Sequence, residues 1–292
     1  MGAVIHCDKL TKRYGKVDAL HELSLDVAEG EVLGFLGPNG AGKTTTIRLL
    51  LGLIRPTSGS AELFGLDAER DAVEIHKRVA FVPGEAALWP SLTGEEILHV
   101  LGEMHGSVDV AYRAELIERF QFDASKKARA YSKGNRQKIV LIAAFASRAD
   151  LLILDEPTIG LDPLMEQEFR RVLGEAKQRG QTVFLSSHIL SEVEAVADRV
   201  AILRAGHVVE EGTLDQLRIA SSVSIEITFT AKPPSLASVE GVREVVADGK
   251  TLHCQLTGPI QPLLDALHGH KVTELLVREP SLEELFLAHY GG

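Results

Sequence analysis

Apolar and polar residues alternate from Val4 to Leu10 and again from Leu20 to Val27, the pattern of strands with one buried and one wet face. Between them Thr11-Lys12-Arg13-Tyr14-Gly15-Lys16 reads as a basic turn with one aromatic. Glu31-Val32-Leu33-Gly34-Phe35-Leu36 is strand-like and almost wholly apolar. Ile47, Leu50, Leu51 and Ile54 then recur at helical spacing, which predicts a helix over Thr45 to Leu53. Ala61 to Phe64 and Val79 to Val82 read as further strands.

From Ser91 to Ser147 the pattern turns helical. Thr93-Gly94-Glu95-Glu96 is a capping box, followed by Ile97, Leu98, Leu101 and Met104 on one face. A second helix is predicted over Val110 to Phe122. In Tyr131-Ser132-Lys133-Gly134-Asn135-Arg136-Gln137, Ser132 is an N-cap, and Ile139, Val140, Ile142 and Ala143 supply the buried side of the helix that follows. Taken alone this is a capped helix; Ser132 and Gly134 at its N-terminus are also able to hold an anion.

Leu151-Leu152-Ile153-Leu154 runs straight into Asp155-Glu156. A short all-apolar run ending in two acids predicts a buried parallel strand that delivers carboxylates to its C-terminal edge, where open α/β sheets bind ligands. Asp162-Pro163 opens another helix, with Asp162 as N-cap, Phe169, Val172, Leu173 and Ala176 as its buried stripe, and Gly180 at its end. Thr182 to Ser187 is a second apolar strand ending in His188. Such a histidine is either an ordinary strand-end side chain or a hydrogen-bonding sensor of a phosphate. Val200 to Leu203 and Val208 to Glu210 pair across a hairpin-like turn, Arg204-Ala205-Gly206-His207.

Beyond Ala220 the chain restarts. Strands are predicted at Val223 to Thr230, Val242 to Val246, Leu252 to Leu256 and Val272 to Val277, with a helix over Ile260 to Leu267. Ser281-Leu282-Glu283-Glu284 is a second capping box, with Leu282, Leu285, Phe286 and His289 on one face. The expected organisation is one α/β domain over 1–220, with a helical subdomain inserted at about 91–150, and a small α+β accessory domain over 221–292 that carries no chemical cluster.

The chemistry centres on Gly37-Pro38-Asn39-Gly40-Ala41-Gly42-Lys43-Thr44-Thr45. It matches G-x-x-x-x-G-K-[ST], the phosphate-binding P-loop, in the strand–loop–helix context that motif requires. Glycines let backbone N–H groups turn inward, and the helix N-terminus adds partial positive charge. Lys43 can reach the outer phosphates, and the Thr44 hydroxyl can ligate Mg²⁺. Asp155 and Glu156 then suggest a metal ligand and a base.

Of the 292 residues 45% are apolar and 25% charged, and the net charge is −10. That acidity argues against nucleic acid as the main partner, because no global basic field would draw it in. No apolar run approaches the length of a bilayer span, and the N-terminus lacks a basic flank with an apolar core, so no secretory signal is read. The myristoylation pattern fails at His6. Cys7 and Cys254, far apart in sequence, are expected as free thiols of a reducing compartment.

In this order, Tyr14, the P-loop, the helical insert, Ser132-Lys133-Gly134-Asn135, the strand to Asp155-Glu156, Gly160-Leu161-Asp162 and His188 resemble the nucleotide-binding subunit of ABC transporters over about Ala3 to Leu217. The resemblance implies a P-loop NTPase core of the ABC ATPase type with an antiparallel β subdomain. It implies that Tyr14 stacks on adenine, whereas the residue alone reads equally as a turn anchor. It implies ATP and Mg²⁺ held by the P-loop and Asp155, with Glu156 activating water and His188 as the switch histidine. Ser132 and Gly134 would contact the γ-phosphate of a second ATPase subunit in a head-to-tail homodimer, and Asp162 would communicate across it. The chain would then be an ATPase at the cytoplasmic face of the membrane, driving a separate integral membrane permease.

Val82-Pro83-Gly84-Glu85, the Tyr-Ser-Lys-Gly-Asn signature and the ending Pro280-Ser281-Leu282-Glu283-Glu284-Leu285-Phe286 are similar to drug- and antibiotic-export ATPases. The chain departs from the family at Gly84, where a Gln that touches Mg²⁺ and water is usual. Glu85 follows and either replaces that Gln as a metal ligand or is solvated or turned to the membrane subunit. The rival readings are a soluble ABC-type ATPase and a nucleotide-dependent regulatory switch.

Overall fold

The computed structural model describes residues 2–219, 223–236 and 238–278. It divides into two compact units, Met1–Gly212 and Thr213–Gly292, each with its own core.

The first unit begins with the long strands β1 (Ala3–Tyr14) and β2 (Val17–Ala28), paired antiparallel. The basic stretch is narrower than its composition suggests. Thr11 to Tyr14 continue β1, and only Gly15 and Lys16 make the turn. The buried strand β3 (Val32–Leu36) leads through the glycine loop to α1 (Lys43–Leu50). β4 (Ser58–Leu63) and β5 (Leu66–Asp67) complete a four-stranded antiparallel sheet in the order β2-β1-β4-β5. After α2 (Ala72–His76), β6 (Val79–Val82) returns to the main sheet.

The helical stretch comprises α3 (Gly94–His105), α4 (Val110–Arg119) and α5 (Lys133–Ala146). Both halves of the expected capping box on α3 are present: Glu96 N–H donates to Thr93 Oγ1 at 3.2 Å, and Thr93 N–H donates to Glu96 Oε2 at 2.8 Å. Met104, expected on the buried face of α3, is 74% exposed, whereas Leu101 and His105 of the same last turn are half-buried. α4 stops at Arg119, so Phe120 and Phe122 are buried from the turn that follows it. On α5, Ile139 and Ile142 are buried as expected, whereas Val140 and Ala143 are half-buried and Leu141 and Phe145 fill the core.

β7 (Leu151–Asp155), α6 (Pro163–Gln178), β8 (Thr182–Ser187), α7 (Leu190–Glu194), β9 (Arg199–Arg204) and β10 (His207–Thr213) finish the unit. The main sheet has the order β10-β9-β3-β8-β7-β6, and its pairs from β9 through β6 are parallel. Parallel pairing brings the C-terminal ends of β3, β8, β7 and β6 to one edge. The glycine loop, His188, Asp155-Glu156 and Pro83-Gly84 therefore meet there. A single apolar core, including Ile5, Leu23, Phe35, Ile47, Ile153 and Phe184, joins this sheet to the antiparallel one.

The second unit contains α8 (Leu214–Ile219) and a four-stranded sheet of β11 (Val223–Phe229), β12 (Val242–Asp248), β13 (Thr251–Leu256) and β14 (Val272–Arg278), in the order β12-β13-β11-β14. α9 (Gln261–Leu267) contributes Leu263 and Leu267 to a core with Ile225, Ile227 and Leu252. The second capping box, at Ser281, lies outside the described residues. Cys7 and Cys254 are both buried free thiols. Burial pushes the Cys7 thiol up to about 12, so it stays protonated.

Candidate active site

Gly42 caps α1 from the left-handed region, with φ of 116°, and a Cβ there would stand 2.6 Å from the Ala19 carbonyl oxygen. Only glycine satisfies both demands. The loop thereby turns the start of α1, with its free N–H groups, toward a cavity of about 170 Å³ lined by Ala19, Pro38, Asn39, Gly40, Gly42, Lys43, Thr44, Thr45 and Glu156.

Lys43 is 5% exposed. Its ammonium donates to the carbonyls of Gly37 at 2.6 Å and Pro38 at 3.3 Å, and lies 3.2 Å from Glu156 Oε1. A buried cation held only by oxygen acceptors suits phosphate oxygens, which are acceptors of the same kind. One residue on, Thr44 Oγ1 donates to Asp155 Oδ2 at 3.0 Å. Asp155, itself 6% exposed, receives a second bond at Oδ1 from Ser186 Oγ at 2.5 Å. Ser186 was not singled out by sequence pattern. Its signal is the register of two buried parallel strands, which pairs Asp155 with Ser186.

The hydroxyl of Thr44 and the carboxylate of Asp155 are hard oxygen donors in contact, the set that suits Mg²⁺. Among the described residues no group of three or more His, Cys, Asp or Glu side chains could hold a metal alone.

Glu156 follows in the left-handed region with φ of 49°. Its N–H donates to the Ser186 carbonyl at 3.0 Å. That turn carries its carboxylate out of the strand, so that Oε1 faces Lys43 and Oε2 meets His188 Nδ1 at 2.5 Å. Ser187 points elsewhere, to the Ile189 carbonyl and Glu192, as alternation along a strand requires.

Other expected residues lie apart from the cavity. Tyr14 is 46% exposed, with Lys12 Nζ 5.0 Å from its ring centre, and does not line the cavity. Glu85 is exposed and does not line it either. Ser132 caps α5 by accepting from Asn135 N–H at 3.3 Å. Asp162 caps α6 by accepting from the N–H groups of Leu164 and Met165, both at 3.1 Å. Gly134 packs so closely on Gly160 that a Cβ would stand 2.2 Å from its carbonyl oxygen. The anion-ready end of α5 is thus fixed to the segment between Glu156 and Asp162. Lys138 on α5 is 8% exposed; burial lowers its pKa, and the Asp162 carboxylate opposes that shift. A larger cavity of about 500 Å³ lies at the opposite sheet edge, but its Arg78, Arg148 and Arg179 are engaged by Asp150, Asp109 and Gln181.

The sequence matches the ABC transporter family over residues 20–159. Over its full length it is 35% identical to the bacitracin transport ATP-binding protein BcrA of Bacillus licheniformis, covering 99% of that relative. It is also 35% identical to the daunorubicin resistance ATP-binding protein DrrA3 of Streptomyces coeruleorubidus, over 99% of this chain and 96% of the relative. The linearmycin resistance ATP-binding protein LnrL of Bacillus subtilis is 31% identical over 97% of each. The fold is similar to a solved ATP-binding subunit of an ABC transporter, with a TM-score of 0.69, 31% identity, and coverage of 74% of this chain and 92% of that one.

Proposed function

The chain belongs to the ATP-binding subunits of ABC transporters, and from that membership we propose that it powers export of a drug-like or antibiotic compound through a separate integral membrane permease subunit. The supporting observation is extent. Relatives named for bacitracin transport and for daunorubicin and linearmycin resistance match it from end to end, the second unit included. Among the described residues no helix is long and apolar enough to cross a membrane. The passage therefore belongs to the permease in this reading, with the chain docked peripherally at its cytoplasmic face.

The chain is an ATPase, and its site residues divide the work as follows. The glycine loop and Lys43 bind the phosphates, by backbone N–H groups and one buried ammonium. Thr44 and Asp155 would hold Mg²⁺, which when bound would supply charge neutralisation to the phosphates. Glu156 accepts the proton of the attacking water. His188, bonded to Oε2, holds the carboxylate so that Oε1 is the free face once Lys43 turns to the phosphates. Ser186 fixes Asp155 in one orientation from behind. Positioning and charge stabilisation carry the rate, since the transition state is loose. Ser132 and Gly134, on the exposed start of α5, close the site of a second copy in a head-to-tail homodimer, and Asp162 communicates across it. Tyr14 reaches the adenine when nucleotide is bound.

The export reading is tested by purifying the tagged chain from membranes, identifying the integral membrane protein that accompanies it, and reconstituting the pair in vesicles. ATP-driven movement of a fluorescent anthracycline or a labelled peptide antibiotic supports it. A chain that hydrolyses ATP but never retains a membrane protein contradicts it.

A further inference from the structure

β6 ends at Val82, and the chain leaves the sheet through Pro83-Gly84-Glu85. This is the exit toward the helical stretch, and it passes the catalytic edge closely. A Cβ on Gly84 would stand 3.1 Å from the Asp155 carbonyl oxygen and 3.7 Å from Glu156 Cβ. Gly84 has no side chain with which to anchor itself there, and proline contributes no N–H. Among the described residues one hydrogen bond reaches the 83–88 stretch: Gln137 Nε2 donates to the Pro83 carbonyl at 3.1 Å. Gln137 is 2% exposed. A buried amide without its partner is costly, so this contact is held in one geometry.

Gln137 lies on α5, the helix that Ser132 opens and whose Gly134 rests on Gly160. We propose that Gln137 is a positioning residue for ATP hydrolysis: from α5 it pins the Pro83–Gly84 loop against Asp155 and Glu156, doing from the helix what the loop cannot do with a glycine at position 84. α5 is then tied to the catalytic edge at two points, by close packing at Gly134–Gly160 and by the amide at Gln137–Pro83. A displacement of α5, such as engagement of its N-terminus by a second copy would cause, reaches Glu156 through the loop backbone. The inference rests on the assignment of Glu156 as the base.

The test compares wild type with Gln137→Met, which keeps the length and loses the donor. The sole tryptophan, Trp89, stands in the same connection and is 45% exposed, so its emission and acrylamide quenching report the loop. The expected result is a kcat lower by about tenfold, an unchanged ATP KM, and a more readily quenched Trp89, with the melting temperature of the ATP-bound protein preserved. Equal loss of stability and activity with unaltered Trp89 quenching would mark a purely structural residue and overturn the proposal, as would an unchanged kcat. If Gln137→Met does not fold, Gln137→Leu, apolar and likewise without the donor, is read by the same three quantities. Glu156→Gln run in parallel separates the two claims: a fully active Glu156→Gln removes the base assignment, whereas an inactive one beside a fully active Gln137 variant removes only the positioning role.

Discussion

Lys43 Nζ and Glu156 Oε1 lie 3.2 Å apart, with side chains only 5% and 13% exposed. The cation of the glycine loop and the carboxylate after β7 therefore neutralise one another inside the cavity. Breaking such a pair from one side leaves an uncompensated buried charge, unless phosphates take over the lysine.

Glu156→Gln keeps the shape and removes both the base and the pairing charge. Turnover is expected to fall by roughly 10²–10⁴-fold. ATP affinity should hold or improve, because Lys43 no longer has a competing anion. Steady-state hydrolysis and equilibrium binding of a fluorescent nucleotide measure the two effects separately; wild-type turnover would remove Glu156 from the mechanism.

Two glycines make opposite predictions. At Gly134 a Cβ would meet the Gly160 carbonyl oxygen at 2.2 Å, whereas at Gly174, within α6, nothing lies within 4 Å. Gly134→Ala is expected to destabilise by about 1–3 kcal/mol through backbone displacement. Gly174→Ala is expected to stabilise by about 1 kcal/mol through helix propensity. Denaturant unfolding of both variants reads the contrast.

Removal of the chain from Ser221 onward is expected to leave nucleotide binding intact. Every residue lining the loop cavity lies in the first unit, and the sheet of the second unit closes its own core around Ile225, Ile227 and Leu263. A soluble, folded truncation that fails to bind ATP would show that the units are not separable.

His105 gives a pH signature. Burial lowers its pKa from 6.5, with the Val79 backbone pulling the other way. The folded state therefore prefers the neutral ring. That contribution is present above the unfolded pKa and is lost as pH falls through the folded one. Relative to His105→Gln, wild type should lose stability below pH 6.5, measured as the difference in unfolding free energy. His6, raised chiefly by its hydrogen bond to Asp26, acts in the opposite sense and is common to both proteins.

The nucleotide edge was legible because its signals are local. A glycine run, a buried strand ending in two acids and a histidine after a third strand each declare themselves within a few residues, and parallel pairing does the rest. Caps at Thr93, Ser132 and Asp162 were equally readable, since an N-cap bonds within its own turn. What pattern could not show depends on register between distant segments: Ser186 behind Asp155, Gly160 under Gly134, and Gln137 on Pro83. Local propensity also misjudged Thr11 to Tyr14, whose charges suggested a turn but which extend β1 because Lys12, Arg13 and Tyr14 pair with Leu20, Asp18 and Val17 of β2, leaving their side chains at least partly exposed.

The composite site is tested most directly by mixing two inactive variants. Lys43→Ala disables the glycine loop and leaves α5 intact. Ser132→Asp keeps an N-cap but sets a negative charge against the phosphates and leaves the loop intact. A mixed head-to-tail dimer contains one site with both halves sound. ATP hydrolysis should therefore be near zero for each variant alone and recover to a fraction of wild type on mixing. Absence of recovery, with mixed dimers present by native mass spectrometry, would contradict a site shared between two copies.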